Sequence, residues 1–464
     1  MERTYISDIN GLVHRDVMLL GRVLIRRDHG KLIFIDFYDE TGTVQMVVLP
    51  ANDEAHRIAS TIRPEWVLKV MGVVNERPER MVRPDEVNGR VEIEIKEVVV
   101  LNEATTPPIS LDTDGREIGE ENRLAYRHID LRRPRMQRNI RMRHKIIKLI
   151  RDLLEKDNFI EIETPILANP TEEGARDYIV PSRVERGKFY ALPQSPQQFK
   201  QLLMASGFEK YFQIARCMRD EDLRGDRQPE FTQLDMEIAY PTREKVMGVT
   251  ETLLKSIVTS LFPEKKIQSD PFPVMTYKEA IEKYGSDRPD LRTNKDDGNE
   301  LAFCFVVDFP LFEETDTGKL TFSHNPFASP HPEDVEQLKR GTNLPTLRSM
   351  QYDIVLNGAE IGGGSIRNHK SDIQRAYLSA LGHSDEVIER AFGHILAALD
   401  SGIPPHGGIA WGLDRLIATL LNEPNIREVI AFPKNGEGKD LMLHSPASVN
   451  PEQLAELGLS TLDS

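Results

Sequence analysis

Between residues 15 and 101, apolar and polar side chains alternate in five short runs, and this period of two constrains the fold more than any other feature. The runs are Val17 to Ile25, Lys31 to Phe37, Thr43 to Leu49, Trp66 to Val74 and Val91 to Ile95. Successive strand residues point to opposite faces, so alternation marks strands with one buried face. Five of them suggest a small barrel.

Gly30 and Gly42 punctuate the first two turns, and a helical stretch from Ala55 to Ile62 separates the third strand from the fourth. That is the plan of an OB-fold, a common surface for single-stranded nucleic acid, expected over residues 1–102. Residues 103–122 turn polar around Pro107-Pro108 and read as a linker. The period then changes: Met136, Ile140, Ile147, Ile150 and Leu154 recur at helical spacing. A second domain is expected over 123–464, with helices at Gln197 to Ser206, Arg243 to Leu261 and Ser384 to Leu399. Without strict β-α-β alternation, an antiparallel sheet flanked by helices fits better than a doubly wound one, so the chain as a whole reads as α+β.

The net charge of -15 argues at face value against a nucleic-acid partner, because phosphate contacts need cations. The basic residues are segregated, however. Arg123, Arg127, Arg132, Arg133, Arg135, Arg138, Arg141, Arg143, Lys145, Lys148 and Arg151 face the single acid Asp130. Two readings stand at this point, a solvated helix face or an RNA footprint. Cys217 and Cys304 are too few for a disulfide framework and lack zinc-site spacing. The start carries no secretory pattern, and no apolar run reaches membrane-spanning length, so a cytoplasmic protein is expected.

Neither common glycine-rich phosphate cradle is present, so a nucleotide would have to be held otherwise. The run Cys217 to Glu237 sets Arg and carboxylates around a loop and closes on the strand-like Phe231-Thr-Gln-Leu-Asp. Arginine forks suit phosphate oxygens, although such a loop also occurs as a salt-bridged surface hairpin. In Gln351 to Arg367, Asn357-Gly358 signals a two-residue hairpin turn. Pairing Val355 with Glu360 and Asp353 with Gly362 would put Asp353 and Glu360 on one face, roughly 7 to 8 Å apart, beside the open backbone of Gly362 to Gly364. That favours a magnesium-triphosphate site over a solvent-facing edge. Arg415 falls in the first turn of a helix starting near Leu413, where a cation makes sense if an anion sits there.

Three segments resemble, in order, the motifs of class II aminoacyl-tRNA synthetases: Asn158 to Pro165, Arg219 to Phe231, and Gly407 to Arg415. Thr171 to Tyr178, Ala191 to Lys200 and Phe231 to Asp235 are similar to the bacterial-type aspartyl enzymes of that class. The resemblance implies an aspartate-tRNA ligase that uses ATP and magnesium, charges tRNA-Asp, and forms a homodimer through the first motif. It implies Arg219, Glu221 and Arg415 as catalytic, and Asp220, Gln228, Phe231, Glu360, Gly412, Leu413 and Asp414 as further ATP contacts. Asp353 and Glu360 would hold the metal. Aspartate would meet Lys200 and Arg367 through its side chain, with Glu173, Ser195, Gln197, Arg219, Gln233, Asp235 and His324 around it. Arg27, His29, Phe34 and Gln45 match anticodon contacts of the family, although a strand Phe also suits a barrel core.

Three positions depart from the pattern: Glu172 for a proline, Met218 for a phenylalanine and Asn325 for a histidine. A short connector at 293–303 stands where bacterial relatives carry an inserted domain. His29 resembles members that charge both tRNA-Asp and tRNA-Asn, whereas Arg80 replaces their frequent glycine; loose discrimination is the expectation taken. The competing readings are an asparaginyl or lysyl enzyme, or a non-catalytic RNA-binding paralogue. The last should have lost Arg219, Glu360 or Arg415, and all three remain.

Overall fold

The computed structural model describes residues 1–170, 174–315 and 318–461 and divides into two compact units, Met1–Asp112 and Thr113–Ser464. In the first, β1 (Asp16–Asp28), β2 (Ile33–Asp39), β3 (Gly42–Val48), β4 (Val67–Glu76) and β5 (Val91–Asn102) close a barrel in the order β1-β2-β3-β5-β4. A helix, α1 (Asp53–Ala59), follows β3. The alternation in sequence is the alternation of burial: Ile33, Ile35 and Phe37 are fully buried in the barrel core, while Phe34 and Asp36 face outward. Phe34 is therefore not a core residue.

The second unit is built on a sheet of eight strands: β6 (Ile160–Glu161), β7 (Lys210–Met218), β8 (Glu230–Ala239), β9 (Val274–Thr276), β10 (Phe303–Val307), β11 (Gln351–Leu356), β12 (Ala359–Ile366) and β13 (His406–Gly412). Their order is β9-β10-β11-β12-β13-β8-β7-β6. The pairs are antiparallel except at the two edges, where β9 with β10 and β6 with β7 run parallel. Helices α2 (Pro134–Lys156), α3 (Gln197–Ala205), α4 (Arg243–Leu261), α5 (Asp385–Asp400) and α6 (Leu413–Leu420) flank it. One face packs on α2, α4 and α6 through a core that includes Ile150, Leu234, Met236, Leu254, Ile354, Trp411 and Leu416. The opposite face carries a smaller apolar cluster at its β10–β11 end, with Cys304, Val306 and Val355, and polar side chains along β8.

The hairpin turns at Asn357-Gly358, both with positive φ (52° and 82°), as a two-residue turn of this type requires. Its register differs from the simple pairing by one residue. Val355 does face Glu360, but a bulge follows, and Asp353 pairs with Gly363 rather than Gly362. Because Val355 still faces Glu360, Glu360 stays on the face that carries Asp353.

The basic run divides into buried and exposed members. Arg123, Arg127, Arg133 and Arg135 are buried. Arg123 and Arg135 pair with Glu428 (2.6 and 2.9 Å), Arg135 also with Glu423 (2.8 Å), and Arg127 and Arg133 hold Asp130 (2.8 and 2.7 Å). These arginines fasten the start of α2 and the short helical segments before it to residues that follow α6. Arg138, Arg141, Lys145, Lys148 and Arg151 are exposed, Lys148 paired with Asp152, and form a solvated stretch of α2.

Candidate active site

Strand β8 reads Phe231-Thr-Gln-Leu-Asp-Met-Glu-Ile, so Leu234, Met236 and Ile238 enter the core while Phe231, Gln233, Asp235 and Glu237 share the other face. Across the ladder, Gln233 faces Gly412, Asp235 faces Ala410 and Glu237 faces Gly408. Small residues thus stand opposite every polar one. A Cβ on Gly408 would come within 2.3 Å of Glu237 Oε2, so glycine there makes room for that carboxylate. Above this floor lies a cavity of about 320 Å³, lined among others by Arg219, Glu221, Phe231, Glu360, Arg367 and Arg415. Cations drawn from four separate stretches of the chain converge on one space.

At one end, the Arg219 guanidinium sits 5.0 Å above the Phe231 ring, and its buried Nε has no protein partner. Arg415 Nη1 donates to the Glu360 carbonyl and Nη2 to Asp226 (3.1 Å), while its buried Nε is likewise unmatched. Buried donors without acceptors are costly unless a ligand supplies them. Glu221 accepts from Arg227 (3.3 Å), and Gln228 is fixed at both ends of its amide by the Lys434 backbone (3.0 and 2.8 Å).

At the other end, Lys200 Nζ lies 3.0 Å from Asp235 and 3.5 Å from Glu237. Arg367 donates through Nε and Nη2 to Glu237 (3.0 and 3.3 Å) and through Nη1 to Ser365 (2.7 Å). Three of its five N–H groups are used, leaving two for a ligand. Burial pushes the Asp235 carboxyl up despite Lys200. Glu237, equally buried, is held down by Arg367 and Lys200. Asp235 Oδ2 is buried and unpartnered, an acceptor available to a cation. Ser195, Gln197, Gln233 and His324 complete this end.

Asp353 stands just behind the wall, held by Gln351 Nε2 (2.8 Å) and by His324 Nε2 (3.4 Å). Burial disfavours a charged His324, but Asp353, then Glu360 and Glu313, raise it to about 9. Burial, then the charge on Asp353, push the Glu360 carboxyl up. A buried carboxylate, Asp353, and a half-buried one, Glu360, that repel one another are a pair whose charge a divalent cation would relieve.

Some expected residues lie elsewhere. Asp220 turns away from the cavity toward Arg176 (3.6 Å), and Leu413 is packed in the hydrophobic core. Asp414 borders the cavity, but both carboxylate oxygens are engaged by protein, by Arg143 and by Thr232 N (2.8 Å). Glu173, with Glu172, lies outside the described residues. Glu237, Ser365 and Gln351 were not singled out from the sequence. Glu237 could have been, because it continues the polar series Gln233, Asp235 on an otherwise apolar strand.

Residues 119–436 match the sequence family of class II tRNA synthetases (D, K and N), and residues 17–101 match the OB-fold nucleic acid binding domain. An aspartate-tRNA(Asp/Asn) ligase of Natranaerobius thermophilus is 39% identical over 97% of this chain and 97% of its own length. An aspartate-tRNA ligase of Listeria monocytogenes is 38% identical over 99% and 98%. The chain belongs to the aspartate-tRNA ligases of class II. It is an aminoacyl-tRNA synthetase, an enzyme whose class takes ATP as substrate. The first alignment runs over 578 positions against 464 residues here, so that relative carries residues for which this synthetase has no counterpart. In fold it is similar to the asparaginyl-tRNA synthetase of Pyrococcus horikoshii solved with asparaginyl-adenylate, with a TM-score of 0.77 at 23% identity, covering 97% of this chain and all of that one.

In the barrel of this synthetase, Arg27, His29 and Phe34 share a neighbourhood on the outer side, and Gln45, opposite Asp36 on β3, is buried beside them. Phe34 lies opposite Arg27 across β1 and β2, and the His29 ring meets it edge-on at 5.6 Å. Arg27 forks onto Asp36 with two contacts of 2.7 Å. Gln45 is held between Glu92 (3.2 Å) and Arg83 (3.3 Å). Among the described residues of either unit, no helix is long and apolar enough to cross a membrane.

Proposed function

We propose that this synthetase activates L-aspartate with Mg-ATP, forming aspartyl-adenylate and pyrophosphate, and transfers the aspartyl group to the 3′-terminal ribose of tRNA-Asp and also of tRNA-Asn. One observation carries the reading: Arg219, Glu360, Arg367 and Arg415, which any scattered arrangement would have refuted, line a single cavity. The aspartate α-carboxylate attacks the α-phosphorus, the bond from that phosphorus to the α,β-bridging oxygen breaks, and pyrophosphate leaves with that oxygen. Such a displacement needs alignment and neutralised charge more than proton transfer. Arg219, whose Nε lacks a protein acceptor, is suited to the α-phosphate, and Arg415 to the far end of the triphosphate. Phe231 offers a ring face for adenine.

The two free N–H groups of Arg367, with Lys200, suit the substrate side-chain carboxylate, and Asp235 Oδ2 suits its ammonium. Asp353 and Glu360 would hold magnesium, which supplies positive charge against the phosphates when bound. The short connector at 293–303 is taken to replace the inserted domain of relatives. A cytoplasmic homodimer is proposed through the segment ending at Pro165, where Ile160 on the edge strand and Ile166 and Leu167 beside it are about half exposed.

Pyrophosphate exchange tests the first step: exchange that depends on aspartate is expected, and strict dependence on asparagine or lysine would overturn the reading. Aminoacylation of separate tRNA-Asp and tRNA-Asn transcripts tests the second. Charging of tRNA-Asp alone would refute the dual range.

A further inference from the structure

The ladder between β8 and β13 ends where Gln233 meets Gly412. The next donor along β8, Thr232 N, therefore has no strand partner on that side, and Asp414 Oδ2 accepts it at 2.8 Å. One carboxylate thus extends the sheet past the end of the strand and ties β8 to the first turn of α6. Thr232 directly follows Phe231, and Asp414 directly precedes Arg415. The tie joins the backbone that presents the aromatic ring to the backbone that presents the arginine.

Asp414 is almost wholly buried, and a carboxylate taken out of water needs a countercharge. It is supplied from far away in sequence: Arg143, in the middle of α2, donates Nη1 to Asp414 Oδ1 and reaches the Val429 carbonyl at 3.4 Å. Arg143 is itself mostly buried and does not line the cavity. Its partner Asp414 borders the cavity. The upstream arginines pair with Asp130, Glu423 and Glu428 and leave Asp414 to it.

We infer that Arg143 is a positioning residue for nucleotide, acting through Asp414 to fix the spacing between Phe231 and Arg415. This rests on the reading of those two residues as the adenine and triphosphate ends of the ATP site. Without Arg143, the Asp414 carboxylate must seek water or another donor, and its bond to Thr232 N is no longer fixed in direction. The strand end and the helix start then separate. Lys200, Asp235, Glu237 and Arg367 hold the amino-acid end through contacts of their own, which this change leaves intact.

The test measures pyrophosphate exchange in the full-length enzyme carrying Arg143→Met, with ATP and aspartate varied separately. The expected result is a KM for ATP raised about tenfold or more, with KM for aspartate unchanged. Arg143→Lys, which keeps the charge but not the fork, should show the same split at smaller size, and it decides the question if the methionine variant fails to fold. Asp414→Asn should shift KM for ATP in the same direction. The double variant should be no worse than the poorer single one, because both break one link. Lys148→Ala, on the solvent side of the same helix, serves as the control. Equal shifts in both KM values, an unchanged KM for ATP, or additive effects in the double variant would overturn the inference. Lack of aspartate-dependent exchange in the wild-type enzyme would instead refute the parent reading of the site.

Discussion

Glu237 holds Arg367 by two parallel contacts, Nε to Oε1 at 3.0 Å and Nη2 to Oε2 at 3.3 Å, with neither side chain open to solvent. The guanidinium plane is thereby fixed, and its remaining N–H groups keep one direction. On the proposed reading of Arg367, aspartate recognition would depend on a residue that need not touch aspartate. Glu237→Gln would leave Arg367 and Lys200 short of a countercharge, a change that typically costs about 3 to 5 kcal/mol at a buried pair. The expected outcome in pyrophosphate exchange is a KM for aspartate raised about tenfold or more, with KM for ATP little changed. A KM for aspartate equal to the wild-type value would show that Arg367 is oriented without it.

Arg219 and Arg415 each keep a buried Nε with no acceptor in the protein. Both residues line the cavity, so these donors are placed where a ligand could satisfy them. Arg219→Ala or Arg415→Ala should therefore lower kcat for exchange by about 100- to 1,000-fold, the usual effect of removing one fixed donor from developing charge. Thermal unfolding should change little for Arg219→Ala, whereas Arg415→Ala also loses the hydrogen bonds to the Glu360 carbonyl and to Asp226 and should lower the unfolding temperature modestly. Exchange at more than a tenth of the wild-type rate would remove that residue from the chemistry.

Much of this arrangement is legible in the residues. The barrel strands declare themselves because burial on one face writes a period of two, and β8 does the same with Gln233 and Asp235 among apolar neighbours. The bulge after Ile354 is not legible, because Gly362 to Gly364 carry no side chains whose alternation could set the register. Nor is the fate of the basic run. Besides Asp130 nearby, Arg123 pairs with Glu428, 305 residues on, and nothing local marks an arginine that will be buried against that distant carboxylate. Arg143 and Asp414 meet for the same non-local reason.

Glu428 carries the clearest dependence of stability on pH. Burial opposes its ionisation, but the hydrogen bonds and charge of Arg123, then Arg135 and Arg127, hold it down to about 2 from an ordinary 4.5. A carboxyl depressed in the folded state stabilises the fold above the unfolded value and loses that contribution as pH falls toward the folded one. The shift corresponds to about 3 kcal/mol, fully present at neutral pH and lost between roughly pH 4.5 and pH 2. Glu428→Gln should lower stability at pH 7 by a similar amount and flatten that part of the acid-unfolding profile. Urea unfolding at a series of pH values measures both. An unaltered acid limb in the variant would place the acid sensitivity elsewhere.

Phe34 offers a prediction confined to the barrel. It lies on the outer face, with His29 against its edge, while Arg27 and Gln45 beside it are engaged by Asp36 and Glu92. The aromatic ring is therefore the surface open to a base without first breaking an ion pair, whereas the arginine and the amide must exchange a protein partner for an RNA one. Stacking of an unpaired base is worth about 1 to 3 kcal/mol, so Phe34→Ala should weaken tRNA binding by roughly 5- to 150-fold. Because Phe34 is outside the barrel core, its loss opens no cavity, and the barrel should unfold at nearly the wild-type temperature. Filter binding of tRNA-Asp, with pyrophosphate exchange in the absence of tRNA as the check on the catalytic unit, separates the two effects. Wild-type affinity in the alanine variant would mean that the anticodon is read by hydrogen bonds alone, and Arg27 and Gln45 would then have to release their carboxylates before any base is bound.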